Sequence, residues 1–217
     1  MNAQMIAWFV ALLVSVVRPG SPTFYPEAKE TKEETEARYQ SIATDLATVV
    51  SDPNEVLLFE GDQAPAKTGA ILLAIAANES HFRRDVDLGL GQYAQGDGGR
   101  SWCLNQINLG TKRDGRTVGR FILRPDGKFQ ITYEGGSEGW GGEDLVADRT
   151  KCFRASLAIA RKSFRCGGPK EGLLSYYASG HCGRGQAESA TRMRLGLQWI
   201  GKMPDFEPIG NSPNLSM

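Results

Sequence analysis

Between about Ala64 and Ser80 the chain carries a helical stretch in which Ala70, Leu72, Leu73, Ile75 and Ala76 leave almost no polar face. A surface helix shows solvent a charged stripe, whereas one that is apolar nearly all round has to be covered by other elements. This segment therefore belongs inside the fold. Glu79 stands at its end and is carried out of an apolar helix into whatever lies beyond.

The flanking pattern supplies the cover. From Glu27 to about Val50 the sequence reads as a helix, charged at first, then with Tyr39, Ile42, Ala43, Leu46, Val49 and Val50 recurring on one face. Ser51-Asp52-Pro53-Asn54 stops it. After a glycine-rich loop at 85–99 and a compact segment at 101–108, Phe121 and Leu123 alternate with polar neighbours. Pro125-Asp126-Gly127 turns, and Phe129, Ile131 and Tyr133 alternate again, which is a hairpin signal. A helix from about Glu143 to Phe164 follows, with Leu145, Cys152, Phe153, Leu157, Ile159 and Ala160 for its core face, then shorter helices at about 170–178 and 186–200. The fold class is mainly α, a helical bundle with one small β-hairpin inserted midway. Residues 21–26 read as a linker and 201–217, with Pro204, Pro208 and Pro213, as a solvated tail.

A length of 217 residues suits one well-buried domain. Its 25 basic and 25 acidic side chains cancel, which argues against a nucleic-acid partner. Cys103, Cys152, Cys166 and Cys182 lack zinc-knuckle spacing, and with only His81 and His181 beside them no metal or other cofactor is expected. An even count suits two disulfides in an oxidising compartment, with four buried thiols as the alternative. Closing the short loop between Cys166 and Cys182 would stabilise the fold by roughly 3 kcal/mol. The first 17 residues carry no charge, and an apolar stretch runs from Met5 to Val17. It is short for a spanning helix and suits a signal-peptide core, yet no basic residue precedes it and no small-x-small cleavage site follows. Residues 1–20 thus read as a signal peptide, an anchor touching membrane through residues 5–17, or a helix packed on the protein.

Three motifs now fall in order. Ala-Asn-Glu-Ser-His-Phe at 77–82 looks like the Glu-Ser-x-Phe of the soluble lytic transglycosylases and goose-type lysozymes, within the lysozyme-like superfamily. Cys-Leu-Asn-Gln-Ile-Asn at 103–108 is similar to that family's Gly-Leu-Met-Gln-Ile-Asn, and Tyr-Ala-Ser-Gly at 177–180 to its Tyr-Asn-Ala-Gly. Leu145 to Arg161 matches a helix that begins near a Leu-x-x-Asp step. The resemblance covers about 63–200, leaving 21–62 as linker and N-terminal helix. Cys103, Asn105 and Ala178 depart from the pattern. Cys103 is compatible with a disulfide to Cys152 that would tie the cleft loop to the following helix.

The resemblance implies an α+β lysozyme-like fold with a glycan cleft bordered by the hairpin, and an enzyme that cuts the β-1,4 MurNAc-GlcNAc bond of peptidoglycan. Glu79 would be the general acid/base, with Ser80 orienting it or the substrate, and Gln106, Asn108 and Tyr177 binding glycan. In a lytic transglycosylase one carboxyl suffices, because the muramic acid 6-hydroxyl closes on C1 to give a 1,6-anhydro end. A hydrolytic lysozyme needs a second carboxylate, for which Asp85, Asp87 and Asp97 are the candidates. A non-catalytic wall-binding subunit is the rival of another class. The implied setting is extracytoplasmic or virion-associated, with a larger virion or secretion assembly as a partner. The same residues have plainer readings. Gln106 and Asn108 can satisfy turn backbone, Tyr176 and Tyr177 can be core aromatics, and Trp102 and Trp140 can stack on sugars or pack in the core. Arg161, Lys162 and Arg165 read as the solvated face of a helix end.

Overall fold

The computed structural model describes residues 2–16, 29–91, 94–112, 115, 117–133 and 138–206. The linker expected at 21–26 lies outside them. Helix α3 (Ala64–Glu79) is the centre, with every side chain from Thr68 to Ala77 buried. It is packed by α1 (Ala3–Val16), α2 (Lys32–Val50), α6 (Arg149–Arg165) and α8 (Gln186–Ile200). The architecture is mainly helical with two small antiparallel strand pairs.

α2 buries the face read from the sequence, Tyr39 to Val50, but begins five residues later than the Glu27 expected, at Lys32. Thr31 sets the start: its Oγ1 accepts from Glu34 N at 3.1 Å while Glu34 Oε2 accepts from Thr31 N at 2.7 Å. The expected single helix at 143–164 is two, α5 (Gly142–Ala147) and α6. At Asp148 the backbone leaves helical geometry (φ −135°, ψ 100°), and the carboxylate caps α6 by accepting from Thr150 N at 2.9 Å. The loop expected at 85–99 opens with a short helix, α4 (Arg84–Leu88). The segment at 101–108 is a tight pair, β1 (Ser101–Trp102) with β2 (Ile107–Asn108). β3 (Arg120–Leu123) and β4 (Phe129–Thr132) form the expected hairpin, stacked through Phe121, Phe129 and Trp140 with centroids 5.0 and 6.0 Å apart. The region at 170–178 is a 3-10 turn at Lys170–Gly172 and then α7 (Ser175–Ser179). The tail starts packed, not solvated: Phe206 is buried, 5.5 Å from the Trp8 ring, and its carbonyl accepts from Gln63 Nε2 at 2.9 Å.

All four cysteines are oxidised. Cys103–Cys152 ties the β1–β2 turn to α6, and Cys166–Cys182 ties the end of α6 to the segment after α7. Separations of 49 and 16 residues correspond to about 4 and 3 kcal/mol on the chain-entropy model. Such bonds suit an oxidising compartment. Among the described residues no helix is long and apolar enough to cross a membrane.

α1 turns Met5, Phe9, Leu12 and Leu13 into the core. The fully buried Phe9 ring rests where α3 has Gly69, and a Cβ there would overlap it. Gly69→Ala is therefore expected to lower stability by about 1–3 kcal/mol in urea unfolding, since the ring has nowhere to move. With α1 undocked, the same change would raise stability by up to about 1 kcal/mol through helix propensity, so the sign reports on the packing.

Candidate active site

α3 ends at Glu79 because the next residues leave helical space. Ser80 closes the helix, its Oγ donating to Ala76 O at 3.0 Å and its N–H bonding the same carbonyl, and His81 and Phe82 take φ of 52° and 51°. Three more non-glycine residues with positive φ are Asp97 (51°), Cys103 (60°) and Gln106 (47°), on the segment from 97 to 106. Of these five non-glycine residues among those described, His81 and Phe82 follow the end of α3, and Asp97 and Gln106 border the same cavity as Glu79. Left-handed backbone at residues with side chains costs about 1–3 kcal/mol each and persists only where surrounding structure over-determines it. Here the Cys103–Cys152 bond pins one end. Gln106 cinches the other: its Oε1 accepts from Gly96 N at 3.0 Å and its Nε2 donates to Cys103 O at 3.0 Å.

A cleft of about 630 Å³ opens beside Glu79. Gly96, Asp97, Ser101, Gln106 and Asn108 form one wall, Phe129 and Ile131 of β4 another, and Tyr176 to Gly180 with Arg192 of α8 the rest. Glu79 is about one-fifth exposed, and Arg192 holds it by donating to Oε1 from Nε at 3.0 Å and Nη2 at 2.6 Å. Burial pushes the Glu79 carboxyl above its ordinary range. The Arg192 charge and hydrogen bonds reverse only part of this, and the nearby Asp97 charge adds to the rise. Asp97 moves the other way. Its Oδ2 accepts from Ser101 Oγ at 2.6 Å and Asn108 Nδ2 at 2.9 Å, and these bonds hold it below the usual carboxylate range. One cleft thus contains a carboxyl biased toward its acid form and another biased toward its anion, the arrangement that assigns acid and base roles.

No family model, curated protein or solved structure matches this chain.

Of the residues read from sequence, Glu79, Gln106, Asn108 and Tyr177 are brought to one cleft. Ser80 is not: it is buried, and its hydroxyl is committed to Ala76 O and Phe82 N in the turn, so it acts on Glu79 through helix termination. Gln106 lines the cleft with its amide already bonded to backbone. Asn108 turns its Nδ2 to Asp97, and its Oδ1 accepts from Gly110 N at 2.8 Å. Tyr177 is a strut behind the wall. Its hydroxyl donates to Asn105 O at 2.8 Å and lies 3.1 Å from Ser156 Oγ, with its ionisation opposed first by burial and then by the Glu79 charge. Tyr176 also lines the cleft, covered by Lys162 Nζ at 2.6 Å from its hydroxyl and 4.2 Å from its centroid.

Asn105 is explained by the same wall. It is fully buried, with Nδ2 donating to Leu72 O and Ser156 Oγ, both at 3.1 Å, and so fastens the cleft loop to α3 and α6. Arg161 corrects the reading of a solvated basic helix end: it is buried, donating to Val56 O at 2.9 Å and Gly127 O at 2.7 Å, while Lys162 and Arg165 are exposed. Neither Trp102 nor Trp140 lines the cleft, and His81 and His181 are exposed. A second cavity of about 650 Å³ lies by Asp45, Trp102 and Arg149, but its buried carboxylate, Asp87, is bound by Arg38 and Arg149. Among the described residues no cluster of His, Cys, Asp and Glu is arranged to hold a metal. The functional residue that sequence reasoning missed is Arg192, 113 residues from its partner and in no motif.

Proposed function

We propose that this protein cuts the β-1,4 MurNAc-GlcNAc bond of bacterial peptidoglycan, with Glu79 as general acid, and that it does so as a lytic transglycosylase. The observation that carries the reading is a mostly buried carboxyl, biased toward its protonated form, that lines a partly aromatic cleft of about 630 Å³. Protonating a glycosidic oxygen near neutral pH needs such a group. Phe129 and Tyr176 line the cleft beside Lys162, whose ammonium lies over both rings, and the three motifs that resemble the lytic transglycosylase family meet around it. Cleavage needs Glu79 to give its proton to the leaving oxygen as C1 gains oxocarbenium character. The carboxylate then takes the proton of the 6-hydroxyl as that oxygen closes on C1. Two disulfides fit a setting outside the cytoplasm, at the cell envelope or on a virion, where local wall opening serves a larger assembly.

A second reading, hydrolysis, is favoured by Asp97 alone. Both of its hydrogen bonds fall on Oδ2, and a water held by the same carboxylate would attack C1 in place of the 6-hydroxyl. Mass spectrometry of muropeptides released from purified sacculi separates the two. Anhydro ends are expected; reducing ends would assign hydrolysis, and their loss in Asp97→Asn would make Asp97 its base. Binding to sacculi with no release would make the protein a wall-binding subunit.

A further inference from the structure

Arg192 approaches Glu79 in an uneven way. Its Nε and Nη2 both donate to Oε1, at 3.0 and 2.6 Å, instead of forming the usual fork with one N–H to each oxygen. An oxygen that accepts two N–H groups has no lone pair left on that side for a proton, and a hydrogen placed there would face two donors. The protonated acid therefore carries its hydrogen on Oε2.

The register of α8 produces this contact. α8 runs antiparallel along α3, and Gly196 lets the two backbones close, since a Cβ there would stand 2.6 Å from Ile71 Cδ1 and 3.5 Å from Ala74 Cβ. Arg192 is one turn earlier on the same face of α8, which brings it level with the last residue of α3. Both partners are mostly buried, with side chains 12% and 19% exposed, so water competes weakly for either.

We propose that Arg192 is the positioning residue of Glu79: by occupying Oε1 it reserves Oε2 as the oxygen that gives and takes the catalytic proton. The inference rests on the glycosidase reading above. The proton passes from Oε2 to the leaving oxygen, which keeps the electron pair of the broken C1–O bond. The carboxylate so formed is held by the two N–H groups of Arg192 until Oε2 accepts a proton from the attacking hydroxyl. The guanidinium edge thus fixes which oxygen faces the sugar in both half-steps.

The test compares wild type, Arg192→Lys and Arg192→Met for cleavage of glycan strands across pH, alongside a ¹³C-carboxyl NMR titration of Glu79 assigned by its loss in Glu79→Gln. With Arg192→Met, kcat is expected to fall roughly 10–100-fold with KM little changed, the scale of a misplaced catalytic group. The alkaline limb and the Glu79 titration should both move to higher pH. Arg192→Lys restores a charge but not two donors from one rigid edge, so it should return the titration toward wild type while kcat stays low. A lysine variant with wild-type kcat would overturn positioning in favour of charge alone, and a methionine variant with wild-type kcat would remove any role. A folded wild type that cleaves nothing defeats the glycosidase reading itself, an outcome distinct from both.

Discussion

Glu79→Gln is expected to reduce muropeptide release by about 10²–10⁴-fold, the usual worth of a positioned general acid, while the protein remains folded. The amide keeps the shape of the side chain, and its carbonyl oxygen can still accept from Arg192 Nε and Nη2, so the buried guanidinium is not stranded. What is lost is the proton. Burial raises the Glu79 carboxyl, with Arg192 opposing and Asp97 assisting. In the wild type the acid form is therefore retained to higher pH than an exposed glutamate allows, and activity falls as pH rises through that raised value. Stability follows the same sign. With a folded-state value above the unfolded one, the contribution of Glu79 is fully present below the unfolded value and is lost as pH climbs through the folded one. The wild type should accordingly lose Tm relative to Glu79→Gln over that window, and a constant difference would mean the carboxyl is not desolvated as drawn. Residual release unchanged by the substitution would remove Glu79 from the chemistry.

How much of this was legible before the structure depends on the range of the interaction concerned. The buried faces of α2 and α3 and the β3–β4 hairpin follow from periodicity and turn residues, which act over a few positions. Glu79 was legible because an apolar helix has to end somewhere and a carboxyl at that end is out of place. The break at Asp148 was not, because helix-compatible residues continue through it and only the capping carboxylate marks the start of α6. Arg192 was invisible for a stronger reason: α8 reads as an ordinary amphipathic helix, and which of its arginines faces α3 is fixed by the close approach at Gly196. Asn105 looked like a defect in a motif, yet it satisfies Leu72 O and Ser156 Oγ across elements far apart in sequence. Phe206 lies in a proline-marked tail, and the Trp8 ring supplied by α1 packs beside it.

Asp87→Asn is expected to cost about 3–5 kcal/mol, the loss typical when one partner of a buried ion pair is removed. Asp87 on α4 is 1% exposed and accepts from Arg149 Nε at 2.6 Å, Arg149 Nη2 at 2.9 Å and Arg38 Nη1 at 3.4 Å. Burial works against the Arg149 charge, but Asp87 and then Asp45 outweigh it and hold the guanidinium firmly protonated. Arg38 is held likewise against its burial by Glu30 and Asp87. Removing the Asp87 charge leaves Arg149 to Asp45 and Arg38 to Glu30, one carboxylate each where there were two, and neither cation can neutralise itself, since arginine does not give up its proton in this range. The exposed pair Lys32–Glu36, at 3.7 Å with side chains 69% and 55% accessible, is the internal control, and Lys32→Ala should change stability by no more than about 0.5 kcal/mol. Urea midpoints at constant m-value report both. The location gives the result its meaning for the site. α4 follows the turn that ends α3, and Asp87 fastens it to α2 and to the first turn of α6, so the chain leaving Glu79 is anchored within eight residues. An Asp87→Asn protein that unfolds early yet cleaves normally at low temperature would show that the anchor holds the fold alone. One that loses kcat while fully folded would show that the geometry of the Glu79 turn depends on it.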